Sequence, residues 1–220
     1  MAERARTPVK NVFGRLTPEF EDYLIQLCFG VDAHVDPFAT CLNTAYGDFC
    51  RTLRGISKVP DAKLLHENAV RHLTQAFATL QARLAAPMSI EGFDEWHSCT
   101  CQELIAVYKG RHTVYAGQAQ KWVNMTLKYI YTLGEEWIPG FGQAFPFCHA
   151  PLDNVVLSEL AQYDFPALTR PWSQIEYAEY FDRQTWIRRK FVLAPLEVEF
   201  SLWLGSKVPV RDEQPLGRTI

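Results

Sequence analysis

The sequence predicts an all-α protein. Apolar residues recur at three- and four-residue spacing along most of the chain, and no stretch shows the two-residue alternation of a strand over a useful length. The boundaries of the periodic segments also carry helix punctuation, with Thr, Asp or Pro at their starts and Gly or Pro just past their ends.

Taken in order, Thr17 to Phe29 opens on Thr-Pro-Glu and places Phe20, Tyr23, Leu24 and Leu27 on one face. Pro37 to Leu53 repeats the pattern with Phe38, Cys41, Leu42, Ala45 and Phe49. A turn at Lys58 to Asp61 precedes a longer helix, Ala62 to about Ala85, which ends before Pro87. Asp94 to Tyr108 follows and stops at Gly110, and Ala119 to Leu133 comes next. Gly134 to Pro151 reads as a long loop, which Trp137, Phe141, Phe145 and Phe147 are expected to pack down. Helices are then expected over Asn154 to Tyr163, Gln174 to Arg189 and Pro195 to Leu204, with a polar tail from Pro209. There is no internal repeat.

Composition bounds the function. At 220 residues the chain can bury a full core as one unit or as two small lobes, and 48% hydrophobic with 21% charged residues argues against disorder. No run of 18 apolar residues occurs, and Met1 to Lys10 is polar, so neither a membrane span nor a secretory leader is expected, and a cytoplasmic location is. Six cysteines without regular spacing suit a reducing compartment. His97, Cys99, Cys101, Cys148 and His149 lack any C-x-x-C pair, so no metal and no other cofactor is expected. The net charge of −3 gives no general support to a nucleic-acid partner, which leaves that case to two basic knots: Lys109, Arg111 and His112, and later Arg183, Arg188, Arg189 and Lys190. Each is also what an ordinary solvated helix end looks like.

The segment that carries chemistry is Tyr115-Ala-Gly-Gln-Ala-Gln-Lys121. A glycine at a helix entrance lets backbone N–H groups approach a phosphate, with the helix dipole in support. Lys121, placed in the first turn, would stand where that dipole disfavours an ammonium and favours the free amine of a nucleophile. Asp153, ahead of Val155, Val156 and Leu157, is a good helix cap whether or not it reacts.

Gly117-Gln-Ala-Gln-Lys121 resembles the G-x-G-x-K element of helix-hairpin-helix DNA glycosylases with a catalytic lysine, Ala119 replacing the second glycine. The likeness extends to the branch typified by archaeal 8-oxoguanine glycosylases. There a Q-K helix, a P-x-D turn and a late P-L-x-x-acid-x-x-x-W helix follow in order, as do Gln120-Lys121, Pro151-Leu-Asp153 and Pro195-Leu-Glu-Val-Glu199-Phe-Ser-Leu-Trp203 here. The resemblance covers about Asp94 to Trp203. It implies a single helix-hairpin-helix unit over residues 1–220, with a hairpin near 104–125, an N-terminal helical part near 15–90, C-terminal helices near 153–205, and the active site between two helical lobes.

By the same resemblance Lys121 is the nucleophile and Asp153 its supporting carboxylate. Glu199 and Trp203 take the places of the base-recognising acid and the stacking aromatic, and Gly117, Arg111, His112, Gln118 and Gln120 hold the DNA backbone. The partner would be double-stranded DNA with a modified base flipped out of the helix, and the enzyme a monomer working as glycosylase and abasic-site lyase through a Schiff base. Glu199 stands where the archaeal pattern has Asp, which leaves two substrates open: 8-oxoguanine, in DNA repair, or a hypermodified base such as glucosylated hydroxymethylcytosine, in anti-phage defence. A non-catalytic helical DNA-binding module is the alternative. For Glu199 and Trp203 the ordinary alternative is a helix boundary with Trp203 in the core and Glu199 in solvent.

Overall fold

The computed structural model describes residues 18–30 and 35–211, and the expected helix start at Thr17 and the tail beyond Arg211 lie outside these. Eight α-helices account for most of the described chain: α1 (Pro18–Phe29), α2 (Pro37–Cys50), α3 (Ala62–Arg83), α4 (Ile90–Tyr108), α5 (Ala116–Leu133), α6 (Asn154–Leu160), α7 (Tyr177–Lys190) and α8 (Pro195–Trp203). The described residues include no strand, only an isolated antiparallel bridge between Phe191 and Val210. No described helix is long and apolar enough to cross a membrane.

Helix starts follow local hydrogen bonding. Asp36 caps α2 by accepting from Ala39 N at 2.9 Å. Helix α4 begins four residues earlier than the periodicity suggests because Ser89 accepts from Gly92 N at 3.1 Å. Helix α5 also starts earlier, at Ala116, where the Gln118 side chain reaches back to Tyr115 N at 3.0 Å. Lys121 is therefore in the second turn of α5. The dipole argument made for a first-turn lysine does not apply, since that field fades within one turn.

The buried apolar side chains fall into two clusters. The larger joins α2 to α5: Leu65, Ala69, Leu73, Phe77 and Leu80 line one face of α3, and Trp122 of α5 stacks on Phe49 with centroids 4.9 Å apart while its indole N–H donates to Leu42 O. The smaller comprises Ala150, Leu152 and Val156, then α7 and α8 residues such as Tyr180, Ile187, Val198 and Leu202. Helix α5 is buried on all sides from Ala116 to Leu127. It is the shared wall of both clusters, so polar groups on it must find partners inside the protein.

The long loop after α5 holds one 3-10 helix, Gly142–Phe147, and is tied by the Glu135 carboxylate, which accepts from Gly140 N at 2.7 Å and from Gly142 N. Phe141 is buried, while Trp137, Phe145 and Phe147 pack against the larger cluster partly exposed.

Candidate active site

Asp153 is the cap of α6, and its two oxygens divide their work. Oδ1 accepts from Val155 N and Val156 N, both at 3.0 Å. Oδ2 accepts from Lys121 Nζ at 2.5 Å, across 32 residues of sequence. The choice between structural cap and partner of the lysine is thus not exclusive. Lys121 is only 7% exposed, and it comes from the larger cluster's wall while Asp153 comes from the smaller's.

The turn before Asp153 is gripped by two buried amides. Gln120 donates to Leu152 O at 3.0 Å and accepts from Leu152 N at 3.3 Å, and Gln184 of α7 does the same for Ala150 at 2.9 and 3.0 Å. Behind Gln120 runs a polar chain. Asn124 donates to Gln120 Oε1 and to Tyr180 Oη, both at 2.8 Å, and His149 lies 2.8 Å from Tyr180 Oη and 2.8 Å from Asp94. Arg188 closes the chain with a two-pronged bond to Asp94, each prong 2.7 Å.

Donor bookkeeping fixes the tautomers. The Asp94 carboxylate can only accept, so His149 presents Nε2–H to it and takes the Tyr180 hydroxyl proton at Nδ1. Burial pushes His149 down to about 4, against the pull of Asp94. Burial raises Asp94, but its bonds to His149 and Arg188 outweigh this and bring it to about 2.

Lys121 and Asp153 open into a cleft of about 440 Å³, with Lys128, Tyr129, Trp172 and Trp203 among its walls. On α8 the ordinary burial order is reversed: Glu199 is 1% exposed and Trp203 is 53% exposed. Glu199 does not line the cleft. Its Oε1 takes an ion pair from Lys128 Nζ at 2.6 Å, and Oε2 is buried without a hydrogen-bond partner. Burial raises the Glu199 carboxyl above its ordinary range, opposed by Lys128. The Lys128 ammonium sits 5.1 Å from the Trp203 ring centre and 5.4 Å from that of Phe200. Lys128 was not singled out from the sequence. The signal was its position seven residues after Lys121, two turns along the same helix face.

The residues expected to hold the DNA backbone separate into two groups. Arg111 and His112 lie at the α4–α5 turn, their N–H groups bonded to Tyr108 O at 3.0 Å and the Arg111 guanidinium 3.1 Å from Asp61. They line an open cavity of about 760 Å³ with Arg54, Thr113 and Gln174. Gln118 borders the same cavity although it is mostly buried, whereas Gly117 and Gln120 face inward. Gly117 N donates to Ile175 O at 3.1 Å, and a Cβ on Gly117 would stand 1.8 Å from Trp172 O, so this glycine lets the 172–175 segment dock on α5 and has no N–H left for a phosphate. Gln118 donates to Thr52 O at 2.8 Å besides capping α5, and Gln120 is wholly committed to Gly117 O, Asn124 and Leu152. Part of the later basic knot is structural too, with Arg188 on Asp94 and Arg183 donating to Ala167 O.

Among the described residues no group of three or more His, Cys, Asp or Glu is arranged to hold a metal ion. The His97 and His149 rings lie 4.4 Å apart, tilted at 45° to each other, within the polar chain, and all six cysteines are free. Comparison with family models, curated proteins and solved structures finds no match to this chain.

Proposed function

We propose that this protein is a DNA glycosylase of the helix-hairpin-helix type that excises a modified base through Lys121 and cleaves the resulting abasic site. The observation that carries the reading is the buried Lys121–Asp153 pair at the floor of a cleft walled by Trp172 and Trp203. An amine and a carboxylate at contact, beside exposed aromatic faces, suit a flipped base and its sugar. Charge placement supports a nucleic-acid partner. Although the chain is net negative, neither the cavity at the α4–α5 turn nor the one beside α6 has an Asp or Glu in its lining, while Arg54, Arg111 and Arg170 are there.

In this mechanism Asp153 Oδ2 takes a proton from the Lys121 ammonium. The free amine bonds to C1′ as the C1′–base bond breaks, and its electron pair leaves with the base. The base takes a proton from the newly bonded nitrogen. Asp153 returns its own to O4′ as the sugar opens to the imine, which restores the carboxylate next to the cationic adduct. Lys128, held by Glu199 and lying against Trp203, would donate to a carbonyl edge of the extruded base, so Glu199 would act on base choice through Lys128.

Borohydride reduction of a reaction with abasic or 8-oxoguanine duplex, or with hypermodified phage DNA, tests the reading. A covalent protein–DNA adduct that disappears in Lys121→Gln is the expected result. An adduct that survives the substitution would remove Lys121 as the nucleophile, and DNA binding with no adduct on any of these substrates would leave only a helical DNA-binding module.

A further inference from the structure

A third cavity, of about 580 Å³, lies between α6 and the 165–173 loop, and the reaction proposed above does not use it. It shares Asn154 and Trp172 with the cleft at Lys121, and Arg54, Pro171 and Ser173 with the cavity at the α4–α5 turn. The three hollows therefore adjoin one another along the 171–173 segment, with Trp172 between the cleft and this cavity. Trp172 is held in place, because its carbonyl fills the space left by the missing Gly117 side chain and Ile175 is hydrogen-bonded to that glycine.

Two guanidiniums, Arg54 and Arg170, line this third cavity, together with Phe165 and Trp172. Neither guanidinium has an ion pair within 4.0 Å among the described residues, although against burial, which raises the Glu179 carboxyl, Arg170 joins the Thr169 bonds and Arg183 in lowering it. Phe165 is fixed edge-on against Trp186 at 5.1 Å, which leaves it a rigid wall. Uncommitted arginines beside fixed aromatics are the chemistry that holds single-stranded nucleotides, with the charges on phosphate and the rings under the base.

We infer that this cavity is a subsite for the nucleotide immediately adjacent to the reacting one, its phosphate on Arg54 and Arg170 and its base against Phe165 and Trp172. The inference rests on the glycosylase reading, since it takes the cleft at Lys121 as the seat of the reacting nucleotide. Shared lining at Asn154 and Trp172 makes the two occupants neighbours along one strand. The enzyme then unstacks two successive nucleotides, which favours substrates whose neighbouring step is easily opened.

The test pairs Arg170→Ala with duplexes that carry a stable abasic analogue and one neutral methylphosphonate linkage, moved stepwise on either side of it. Affinity is read by fluorescence anisotropy, and borohydride trapping on a true abasic site is run in parallel. For the wild type, one neutral linkage next to the analogue should weaken binding about tenfold, and in Arg170→Ala that same linkage should cost less than about twofold. Replacing the neighbouring base by an abasic spacer should likewise weaken the wild type about tenfold and leave Phe165→Ala little changed. Trapping should persist in both variants, because neither residue touches the lysine. Equal losses in wild type and variant, or no loss in the wild type from either change next to the analogue, would overturn the subsite while trapping upholds the glycosylase reading. Absence of trapping in the wild type would bring down both.

Discussion

Substituting Gly117 by Ala separates two roles for the glycine that begins the lysine helix. In the structure a Cβ there meets Trp172 O at 1.8 Å, the carbonyl carbon at 2.9 Å and Ile175 Cγ1 at 3.1 Å. The obstacle is backbone, so the 172–175 segment must retreat by about 1.5 Å to regain van der Waals contact. Overpacking of this kind costs roughly 1–3 kcal/mol, and stretching the Gly117 N–H bond to Ile175 O costs about 1 kcal/mol more. Alanine returns about 1 kcal/mol as the better helix former. The net loss is about 1–3 kcal/mol, or roughly 2–12 °C in melting temperature for a chain of this size. Thermal unfolding by circular dichroism reads the loss, and DNA affinity at two salt concentrations reads any change at the backbone contact. A stable Gly117→Ala protein with weakened DNA binding and a shallower salt dependence would refute the reasoning, because it would put the Gly117 amide on a phosphate.

Asp153→Asn should keep the α6 cap, since an amide oxygen can still accept from Val155 and Val156, yet lose base excision by about 100-fold or more, with DNA affinity changed far less. Rate and binding measured on one modified duplex decide it. Arg111→Ala should weaken binding to all DNA sequences alike and lower the salt slope by about one, and an unchanged slope would remove the α4–α5 turn from the interface. Glu199→Gln should alter which base is removed while sparing lyase activity on a preformed abasic site, and equal loss of both would place Glu199 in the chemistry. Acid should destabilise the fold through His149. Its pKa drops on folding from an ordinary 6.5 to about 4, so the unfolded chain binds the proton first, and stability present above pH 6.5 is lost as pH falls toward 4. That interval is worth roughly 3 kcal/mol. Asp94, lowered to about 2, continues the loss below its ordinary 3.8. A melting temperature flat from pH 7 to 4.5 would contradict both the buried neutral imidazole and the polar chain built on it.

Helix existence was legible because it depends on periodicity, and helix ends were less so because they depend on single side-chain bonds. Ser89 and Gln118 shift two starts by three or four residues, and nothing in the apolar spacing announces either. The pairing of Lys121 with Asp153 was legible from ordered motifs, although the turn of the helix on which Lys121 stands was not. Gly117, Gln118 and Gln120 were expected as phosphate contacts, and all three are engaged internally, although Gln118 also borders the cavity at the α4–α5 turn. Glycine and glutamine at a helix start suit a phosphate and a packing joint equally, and the groups that engage them here lie far off in sequence: Ile175 O for Gly117, Thr52 O for Gln118 and Leu152 for Gln120. Lys128 was missed for a related reason: its spacing from Lys121 was the one signal for it, and its partner Glu199 and neighbour Trp203 come from another helix.

The inversion on α8 bears most directly on what the cleft is for. A helix that obeyed burial alone would sink the Trp203 indole, among the most apolar surfaces in the chain, and leave the Glu199 carboxylate to water. Here the carboxylate is inside, with one oxygen unpartnered, and the indole is half in solvent beside the Lys121 cleft. Both placements cost stability, and the Lys128 ion pair offsets only part of the first, since desolvating two charges commonly outweighs their attraction. A sequence tolerates two such costs four residues apart when something absent from the free protein recovers them on arrival. A flat ring stacked on Trp203 would cover the indole and leave the Lys128 ammonium beside its edge as a charged donor. The energy withheld from folding on α8 is then available for binding, which ties the selectivity of the cleft to the same pair of residues that weaken the helix.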